Sequence, residues 1–271
     1  MMKLNAYSEK EFNVRFEKSL KRLTRGKTPV KSPNAYLLGG QSGSGKTTLH
    51  SLLRKRHEGN IIVIDNDTFK PFHPRYSELV LYYGKKATSQ ASAFSGEMTE
   101  KLIATLSSLG YHLVIEGTLR TTAVPLKTAE LLKAQGYTVG LYVMAVPFAL
   151  SYLTTLERYE RMFQNDPLTA RYTPRNIQEE MKASIVSNLS TCYKQGIFDE
   201  ICLYDREENC LYDSHTSSDD PSLYLNHILN QEVPADVLRP IVLRVLRLMC
   251  KNKNRDAKQD LENLYRQLLE N

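Results

Sequence analysis

Long hydrophobic segments are missing from this sequence. Its longest apolar stretches, Leu141 to Val146 and Ile241 to Leu248, are far shorter than the ~20 residues that a membrane span requires. The N-terminal segment, MMKLNAYSEKEFNVRF, carries a charge every few residues and so lacks the apolar core of a secretory signal. We expect a protein that does not cross a bilayer and that stays in the cytoplasm.

Cysteine is scarce, and its spacing is uninformative. Cys192, Cys202, Cys210 and Cys250 lie 10, 8 and 40 residues apart, which matches neither a zinc-ligand pattern nor a C-x-x-C motif. The six histidines show no metal-ligand spacing either. We interpret both residue types as core or surface residues without a chemical role.

A strong excess of one charge is also absent. The 36 basic and 30 acidic residues give a net charge of +6, which is spread along the chain. No basic stripe with interleaved aromatic residues is present, so we expect no nucleic-acid partner. The charge balance favours a small anionic substrate.

What the sequence does contain is a regular alternation of strand and helix patterns. Between residue 34 and about residue 205, this alternation predicts an α/β fold in which helices flank a parallel sheet. We predict one domain over 1–271, with an N-terminal helix at 8–23, an α/β core at about 34–214 and a C-terminal helical cap at about 221–271. The predicted strands are Ala35–Leu38, Ile61–Ile64, Tyr111–Ile115, Tyr137–Val146 and, last, Ile201–Tyr204. The predicted cap helices are Val237–Cys250 and Asp256–Leu269, joined by Lys251 to Arg255.

A phosphate-binding loop follows the first predicted strand. Gly40-Gln41-Ser42-Gly43-Ser44-Gly45-Lys46-Thr47 satisfies the pattern G-x-x-x-x-G-K-[ST] and opens a predicted helix. Backbone N–H groups at such a helix start can converge on phosphate oxygens. Lys46 would reach the β and γ phosphates of ATP, and the Thr47 hydroxyl would bind Mg²⁺. The alternative is a glycine-rich turn that only caps a helix. We predict a P-loop kinase whose ATP-binding segment runs from Gly40 to Thr48.

Acidic residues end the next two strands. Asp67 lies just past the second strand, where ligands bind in open α/β sheets, and it could accept the proton of an attacking hydroxyl. Asp65 could share that role, and the alternative for both is a helix cap or a solvated turn. Glu116 ends the third strand and could touch the metal through water or hold a substrate hydroxyl. Thr118 and Arg120 extend the same edge, and the alternative there is a surface loop.

Arginines surround a predicted helix break at Asn165-Asp166-Pro167. Arg158 and Arg171 lie on either side of it, as expected of a mobile lid that brings positive charge to a transferring phosphoryl group. Arg161 is a third candidate. Helical arginines are most often simply solvated, so this prediction depends on the three lying together.

The sequence resembles the zeta toxins, the kinase components of bacterial toxin–antitoxin pairs, and in particular the pneumococcal type. The resemblance covers roughly residues 5–215. It is carried by LLGGQSGSGKTT, by IIVIDNDTF with HPRY, by VIEGTLRT, and by SYLTTLERYE with Arg171. Where the family often has glycine between the paired aspartates, this chain has Asn66. The segment after about residue 214 matches weakly.

The resemblance implies an activity, a substrate and a partner. It implies an ATP- and Mg²⁺-dependent kinase that phosphorylates UDP-N-acetylglucosamine at the 3'-hydroxyl of its amino sugar and so blocks cell-wall precursor synthesis. It also implies a small helical antitoxin that blocks the ATP site. The catalytic residues implied are Asp67, Lys46, Arg158 and Arg171. The residues implied to bind the substrate are Asp67, Glu100, Glu116, Thr118, Arg120 and Thr128.

Two other functions remain open on the sequence alone. A kinase for another small molecule, such as an antibiotic, would share the same phosphate loop and lid. A regulator that senses a nucleotide without transferring phosphate would share the loop, but it would not need a base such as Asp67.

Overall fold

A six-stranded sheet forms the centre of the computed structural model, which describes residues 3–254 and 258–270. The strand order is β2-β3-β1-β4-β5-β6. The strands are β1 (Asn34–Gly39), β2 (Ile62–Ile64), β3 (Leu113–Ile115), β4 (Thr138–Met144), β5 (Glu200–Tyr204) and β6 (Cys210–Asp213). The first five pair in parallel, and β6 runs antiparallel to β5. The predicted α/β fold with a parallel sheet is confirmed.

Helices connect the strands and cover the sheet. They are α1 (Glu9–Thr24), α2 (Thr47–Arg56), α3 (Asn66–Phe69), α4 (Tyr76–Tyr83), α5 (Ala87–Gln90), α6 (Ser92–Ser108), α7 (Ala123–Ala134), α8 (Phe148–Asn165), α9 (Arg175–Gln195), α10 (Pro221–Leu229), α11 (Ala235–Asn252) and α12 (Lys258–Glu270). The predicted C-terminal helices are therefore present. Arg255 and Asp256, which end the predicted connector and begin the last predicted helix, lie outside the described residues. Within residues 3–254 and 258–270, no helix combines the length and the apolar character that a membrane span needs.

The sheet is buried on both faces, as parallel sheets usually are. Side chains of a strand alternate between faces, so Ala35 and Leu37 of β1 join one core cluster. Tyr36 and Leu38 join a second cluster on the opposite face. This two-sided burial explains why the strand sequences are nearly continuous apolar runs, and it leaves the strand ends as the accessible edge of the sheet.

The N-terminal helix forms where its sequence predicts it. Ser8 caps α1, and the side chains of Ser8 and Glu11 each bond the backbone of the other residue. Phe12 and Phe16 are buried, and the Phe12 ring packs edge-on against Phe94 of α6 at a centroid distance of 5.5 Å. The helix thus packs onto the β2 side of the core.

Two elements near the C-terminal end of the core were not predicted. The prediction ended the sheet at Tyr204, but β6 adds an antiparallel edge strand with a bulge at its start. The predicted cap began at about residue 221 but named no helix before Val237, whereas the structure has α10 there, whose Leu225 and Leu229 are buried. Both elements are short, and an exposed edge strand of four residues carries little hydrophobic pattern.

The C-terminal helices dock on the core through α8. Leu153 and Leu156 of α8 share an apolar cluster with Val242 and Val245 of α11. A polar contact closes the far end of this interface, where the side chains of Asn252 and Asn254 donate to the buried Glu160 carboxylate at 2.8 and 2.9 Å. One face of α8 is therefore braced by α11.

Candidate active site

The phosphate loop leaves the carboxyl end of β1 and enters α2 with the geometry that its glycines permit. Gly40 and Gly43 have φ values of +139° and +76°, a region that favours glycine. A Cβ atom on Gly43 would lie 2.2 Å from the Ser151 carbonyl oxygen of α8. Only glycine fits there, because the loop packs directly on the first turn of α8.

Several polar groups of this loop have no protein partner. The Ser44 N–H donates to the Gln41 carbonyl at 3.2 Å, but within the described residues the N–H groups of Gly43, Gly45 and Lys46 donate to no protein acceptor. The buried Ser44 Oγ likewise has no hydrogen-bond partner in that part of the chain. Unpaired donors that gather at a helix N-terminus suit an anion.

Lys46 folds back over the loop. Its Nζ lies 3.3 Å from the carbonyl oxygens of Gly40 and of Gln41. Burial lowers the pKa of the ammonium group, and the charge of Glu116 partly opposes that shift. Because a buried cation gains from a nearby anion, this position favours binding of a phosphate.

Arg158 reaches the same loop from α8. Its Nη2 donates to Ser42 Oγ at 3.0 Å, and the side chain is otherwise exposed. The predicted lid arginine is thus already in contact with the phosphate loop. Arg161, the third candidate, is not: its guanidinium pairs with Glu157 at 2.8 Å one turn away on the outer surface of α8.

Asp67 lies in the first turn of the short helix α3, directly after β2. Asp65 caps this helix by accepting the Asp67 N–H at 2.9 Å. The Asn66 side chain bonds Ser95 Oγ at 3.0 Å and Thr99 Oγ1 at 3.2 Å, which fixes the turn to α6. Asn66 has no positive φ angle, so the turn does not require the glycine that the family often has there.

Two cations hold the exposed Asp67 carboxylate. Lys70 forms an ion pair with it from the next turn, and Arg171 Nη2 lies 3.8 Å from its Oδ2. Partial burial alone would raise the pKa of Asp67, but the hydrogen bond from Lys70 and the charges of Lys70 and Arg171 outweigh it and lower the pKa. The carboxylate is therefore ionised at neutral pH. Arg171 and Asp67 therefore lie close together, and the lid itself stays a prediction.

Glu116 ends β3 and contacts a histidine that the sequence reading dismissed. His50 Nε2 of α2 lies 3.0 Å from Glu116 Oε2. Burial would raise the pKa of Glu116, but the contact with His50 and the charge of Lys46 lower it. The interpretation of His50 as a residue without a chemical role did not anticipate this contact. Its position four residues after Lys46, on the same face of α2, was the signal that could have found it.

Asp65 adds a third carboxylate beside Glu116 and Asp67. Burial and the charge of Glu116 raise the pKa of Asp65. Oxygen donors of this kind, together with the exposed hydroxyl of Thr47 at the start of α2, are the ligands that Mg²⁺ prefers. In their chemistry, Asp65, Glu116 and Thr47 therefore suit a magnesium ion.

A cavity of about 220 Å³ opens next to this acidic group. Its walls include Glu116, Thr118 and Thr128, so the structure brings three of the six predicted substrate residues to one place. The Thr128 hydroxyl donates to the Val124 carbonyl of its own helix at 2.8 Å and keeps its lone pairs for another donor. The cavity is small enough to enclose part of a ligand, not the whole of a nucleotide sugar.

Arg120 and Glu100 are not gathered with the others. Both side chains are exposed, Arg120 after the end of β3 and Glu100 on α6. No hydrogen bond or ion pair among the described residues connects either of them to Asp67 or Glu116. Their place in the site stays a prediction.

Arg206 is a contact of the phosphate loop that sequence reasoning missed. It lies in the turn after β5, and its Nη2 donates to the Gly43 carbonyl at 2.7 Å. These two partners lie 163 residues apart in the sequence, and no motif includes both.

Comparisons with known proteins agree with the geometry. The family model described as "Zeta toxin" matches residues 18–217. Toxin zeta of Streptococcus pyogenes is 45% identical over 265 residues, which cover 95% of this chain and 92% of the relative. Toxin PezT of Streptococcus pneumoniae is 43% identical over 228 residues, covering 84% and 90% of the two chains. A solved structure from the PezAT chromosomal toxin–antitoxin system of that bacterium superposes with a TM-score of 0.82 at 39% identity, covering 93% of this chain and 99% of the other.

Proposed function

This chain belongs to the zeta toxin family, and from that premise we propose that it is an ATP-dependent kinase for UDP-N-acetylglucosamine. The acceptor is the 3'-hydroxyl of the amino sugar. The observation that carries the proposal is the position of Asp67, an ionised carboxylate within electrostatic reach of Lys46 and Arg158, two of the cations that contact the phosphate loop.

The transfer needs an oriented hydroxyl and a stabilised phosphoryl group. Asp67 accepts a hydrogen bond from the sugar hydroxyl, and the oxygen of that hydroxyl attacks the γ-phosphorus of ATP as the bond to the β-phosphate oxygen breaks. The hydroxyl proton passes to Asp67, and the products are ADP and the sugar phosphate. A low pKa makes Asp67 a weak base, which suits a loose transition state in which the proton moves late.

Positive charge is supplied from two sides. Lys46 contacts the donor phosphates from within the loop, and Arg158 and Arg171 contact the transferring group from α8 and from the segment after it. Thr47, with Asp65 or Glu116, would hold magnesium, which would neutralise charge on the donor phosphates. Arg158 already lies on the loop, so closing this site requires little movement of α8.

The cavity beside Glu116 supports an acceptor of the proposed kind. Glu116, Thr118 and Thr128 offer hydrogen-bonding oxygens in a half-enclosed space, as recognition of a sugar requires. The exposed Arg120 can pair in bidentate fashion with a phosphate of the nucleotide, and Glu100 can hold a hydroxyl from α6. These roles belong to the proposal and follow the family pattern.

One assay tests the proposed reaction. The protein is incubated with MgATP and UDP-N-acetylglucosamine, and mass spectrometry is used to look for a singly phosphorylated sugar nucleotide. UDP-glucose, tested in parallel, shows whether the acetamido group is required. The absence of a product with UDP-N-acetylglucosamine would refute the proposal, whereas transfer to an unrelated alcohol would indicate a different small-molecule kinase.

We further propose that the chain is the toxin of a pair whose antitoxin is a small helical protein that covers the ATP site. The pneumococcal structure named above comes from a toxin–antitoxin system. Expression in bacteria should stop growth and lead to accumulation of phosphorylated UDP-N-acetylglucosamine, and the Lys46→Met variant should be harmless. Growth arrest by that variant would show that toxicity does not depend on phosphate transfer.

A further inference from the structure

Arg206 is a half-buried cation in the turn between β5 and β6, and its guanidinium reaches the outer side of the phosphate loop. Nη2 donates to the Gly43 carbonyl at 2.7 Å, and Nε donates to the Ser44 carbonyl at 3.4 Å. One side chain therefore holds two successive peptide groups of the loop.

The same guanidinium also holds the first turns of α8. Nη2 donates to Thr154 Oγ1 at 3.0 Å and lies 3.4 Å from the Leu150 carbonyl oxygen. Because α8 carries Arg158, Arg206 joins the phosphate loop to the helix that supplies a phosphoryl-binding cation. A lysine carries its donors on one atom and could not reach the Ser44 carbonyl and the α8 acceptors as the separate Nε and Nη2 atoms do.

Because a peptide group is planar, these bonds to its carbonyl also fix the direction of its N–H. In a trans peptide the C=O of one residue points away from the N–H of the next. When Arg206 draws the Ser44 carbonyl outward, the Gly45 N–H must point inward, and that N–H has no protein acceptor in the described chain. Arg206 thus keeps a phosphate-binding amide aimed at the site before any ligand arrives.

The charge of Arg206 also favours a phosphate bound at this loop. No carboxylate of the described residues forms an ion pair with Arg206, and burial lowers the pKa of its guanidinium, with the charge of Glu207 partly opposing that shift. The adjacent Asp205 is occupied elsewhere, since it accepts the N–H groups of Glu207 and Asn209 at 2.9 Å each. Arg206 is a half-buried cation without such a partner, so an anion bound at the phosphate loop would stabilise it.

The turn that presents Arg206 is itself anchored. Asp205 closes it through the two backbone bonds, and Glu208 forms an ion pair with Lys55 at 2.8 Å. Lys55 lies in the last turn of α2, the helix that begins at the phosphate loop. Both ends of α2 therefore contact the β5–β6 turn. These contacts fix the backbone from which the Arg206 side chain extends.

We propose that Arg206 is a positioning residue for the triphosphate: it sets the peptide planes of the loop and supplies positive charge behind them without touching the ligand. This role rests on the proposed use of ATP as the phosphate donor. It predicts that the loss caused by removing Arg206 grows with the number of phosphates on the nucleotide, whereas a merely structural residue would affect ATP, ADP and AMP alike.

The test uses the full chain and its Arg206→Gln, Arg206→Lys and Arg247→Gln variants. Arg247 is an exposed residue of α11, so its variant removes the same charge away from the site. Calorimetric titration measures the affinities for MgATP, MgADP and AMP, and steady-state assays separate the KM for ATP from the KM for the acceptor. Thermal unfolding shows which variants fold.

Arg206→Gln should weaken MgATP binding by about 10- to 100-fold, as expected for lost bonds to a charged group, and should affect AMP much less. Arg206→Lys should lie between Arg206→Gln and the unsubstituted protein, and Arg247→Gln should match the latter. The KM for ATP should rise while the KM for the acceptor stays constant.

Equal losses for all three nucleotides, or unchanged MgATP affinity in Arg206→Gln, would overturn the role of Arg206. If Arg206→Gln does not fold, Arg206→Lys decides, because it retains charge without the separate Nε and Nη2 donors. Failure of the unsubstituted protein to bind MgATP would instead refute the proposed function, and the assignment of Arg206 with it.

Discussion

The two halves of the site are built differently. On the donor side, the phosphate loop, Lys46, Arg158 and Arg206 are linked by direct contacts before any ligand is present. On the side proposed to bind the acceptor, Glu116 and Thr128 line a cavity, while Glu100 and Arg120 are exposed and lie apart from it. A preformed donor site with a dispersed acceptor site is expected of an enzyme whose acceptor completes its own binding pocket.

Asp67→Asn should have the largest effect, because Asp67 lies between the proposed donor side and the proposed acceptor side. Loss of the base should lower kcat by about 10²- to 10⁴-fold, while the affinity for MgATP should stay unchanged because the donor side does not depend on it. Asp236→Asn, at an exposed position of α11, serves as the control for loss of a carboxylate. Loss of nucleotide binding in Asp67→Asn would show that the aspartate belongs to the donor side.

Glu116→Gln should have the next largest effect, because Glu116 lines the acceptor cavity and also offsets the charge of Lys46. We expect kcat/KM for the acceptor to fall by about 10- to 100-fold, the size of a lost bond to a charged group. His50→Gln should show a smaller loss of the same kind. Equal affinity for the acceptor in Glu116→Gln would exclude Glu116 from that side of the site.

Lys70→Met tests how Asp67 is kept ionised. Lys70 lowers the pKa of Asp67, so its removal should raise that pKa. Since the base must be deprotonated, the acidic limb of the kcat profile should move to higher pH, with little change above neutral pH. Lys21→Met, at an exposed position of α1, should leave the profile unchanged. If the acidic limb of the kcat profile does not move in Lys70→Met, that limb reflects the titration of a group other than Asp67.

His57 should affect stability without affecting either half of the site. It accepts or donates a bond with Tyr36 Oη at 2.9 Å and lies 4.1 Å, ring to ring, from His112. Burial, with a smaller contribution from the charge of His112, lowers the pKa of His57 from 6.5 to about 4. The unfolded chain therefore binds more protons between these values, and stability should be lost as pH falls from 6.5 towards 4.

Melting temperatures measured between pH 7 and pH 4 check this, with His57→Phe expected to show a smaller loss on acidification. His227→Gln, at an exposed histidine of α10, is the control. A loss in His57→Phe as steep as in the unsubstituted protein would assign the acid sensitivity elsewhere. Activity at neutral pH should be unchanged in both variants, which would confirm that this region lies outside both halves.

The same contrast explains what could be predicted from the sequence. The phosphate loop is one continuous segment, and Asp67 and Glu116 follow apolar strands whose ends meet at one edge of a parallel sheet. Arg206 was missed because its partners lie far along the chain, and β6 was missed because four residues at an exposed edge leave little pattern. Contacts made by tertiary packing alone leave no local signal.

The brace between α8 and α11 has a consequence for biosynthesis. A ribosome releases the phosphate loop, Asp67 and Glu116 early, but the helix that carries Arg158 gains its backing only when residues 235–254 have emerged. Until then, Leu153 and Leu156 lack the α11 side chains that cover them. The helix α8, which carries Arg158, is then not packed against α11. On the proposed function, the chain acquires full catalytic capacity only after residues 235–254 have been synthesised, which gives a co-translational partner time to bind first.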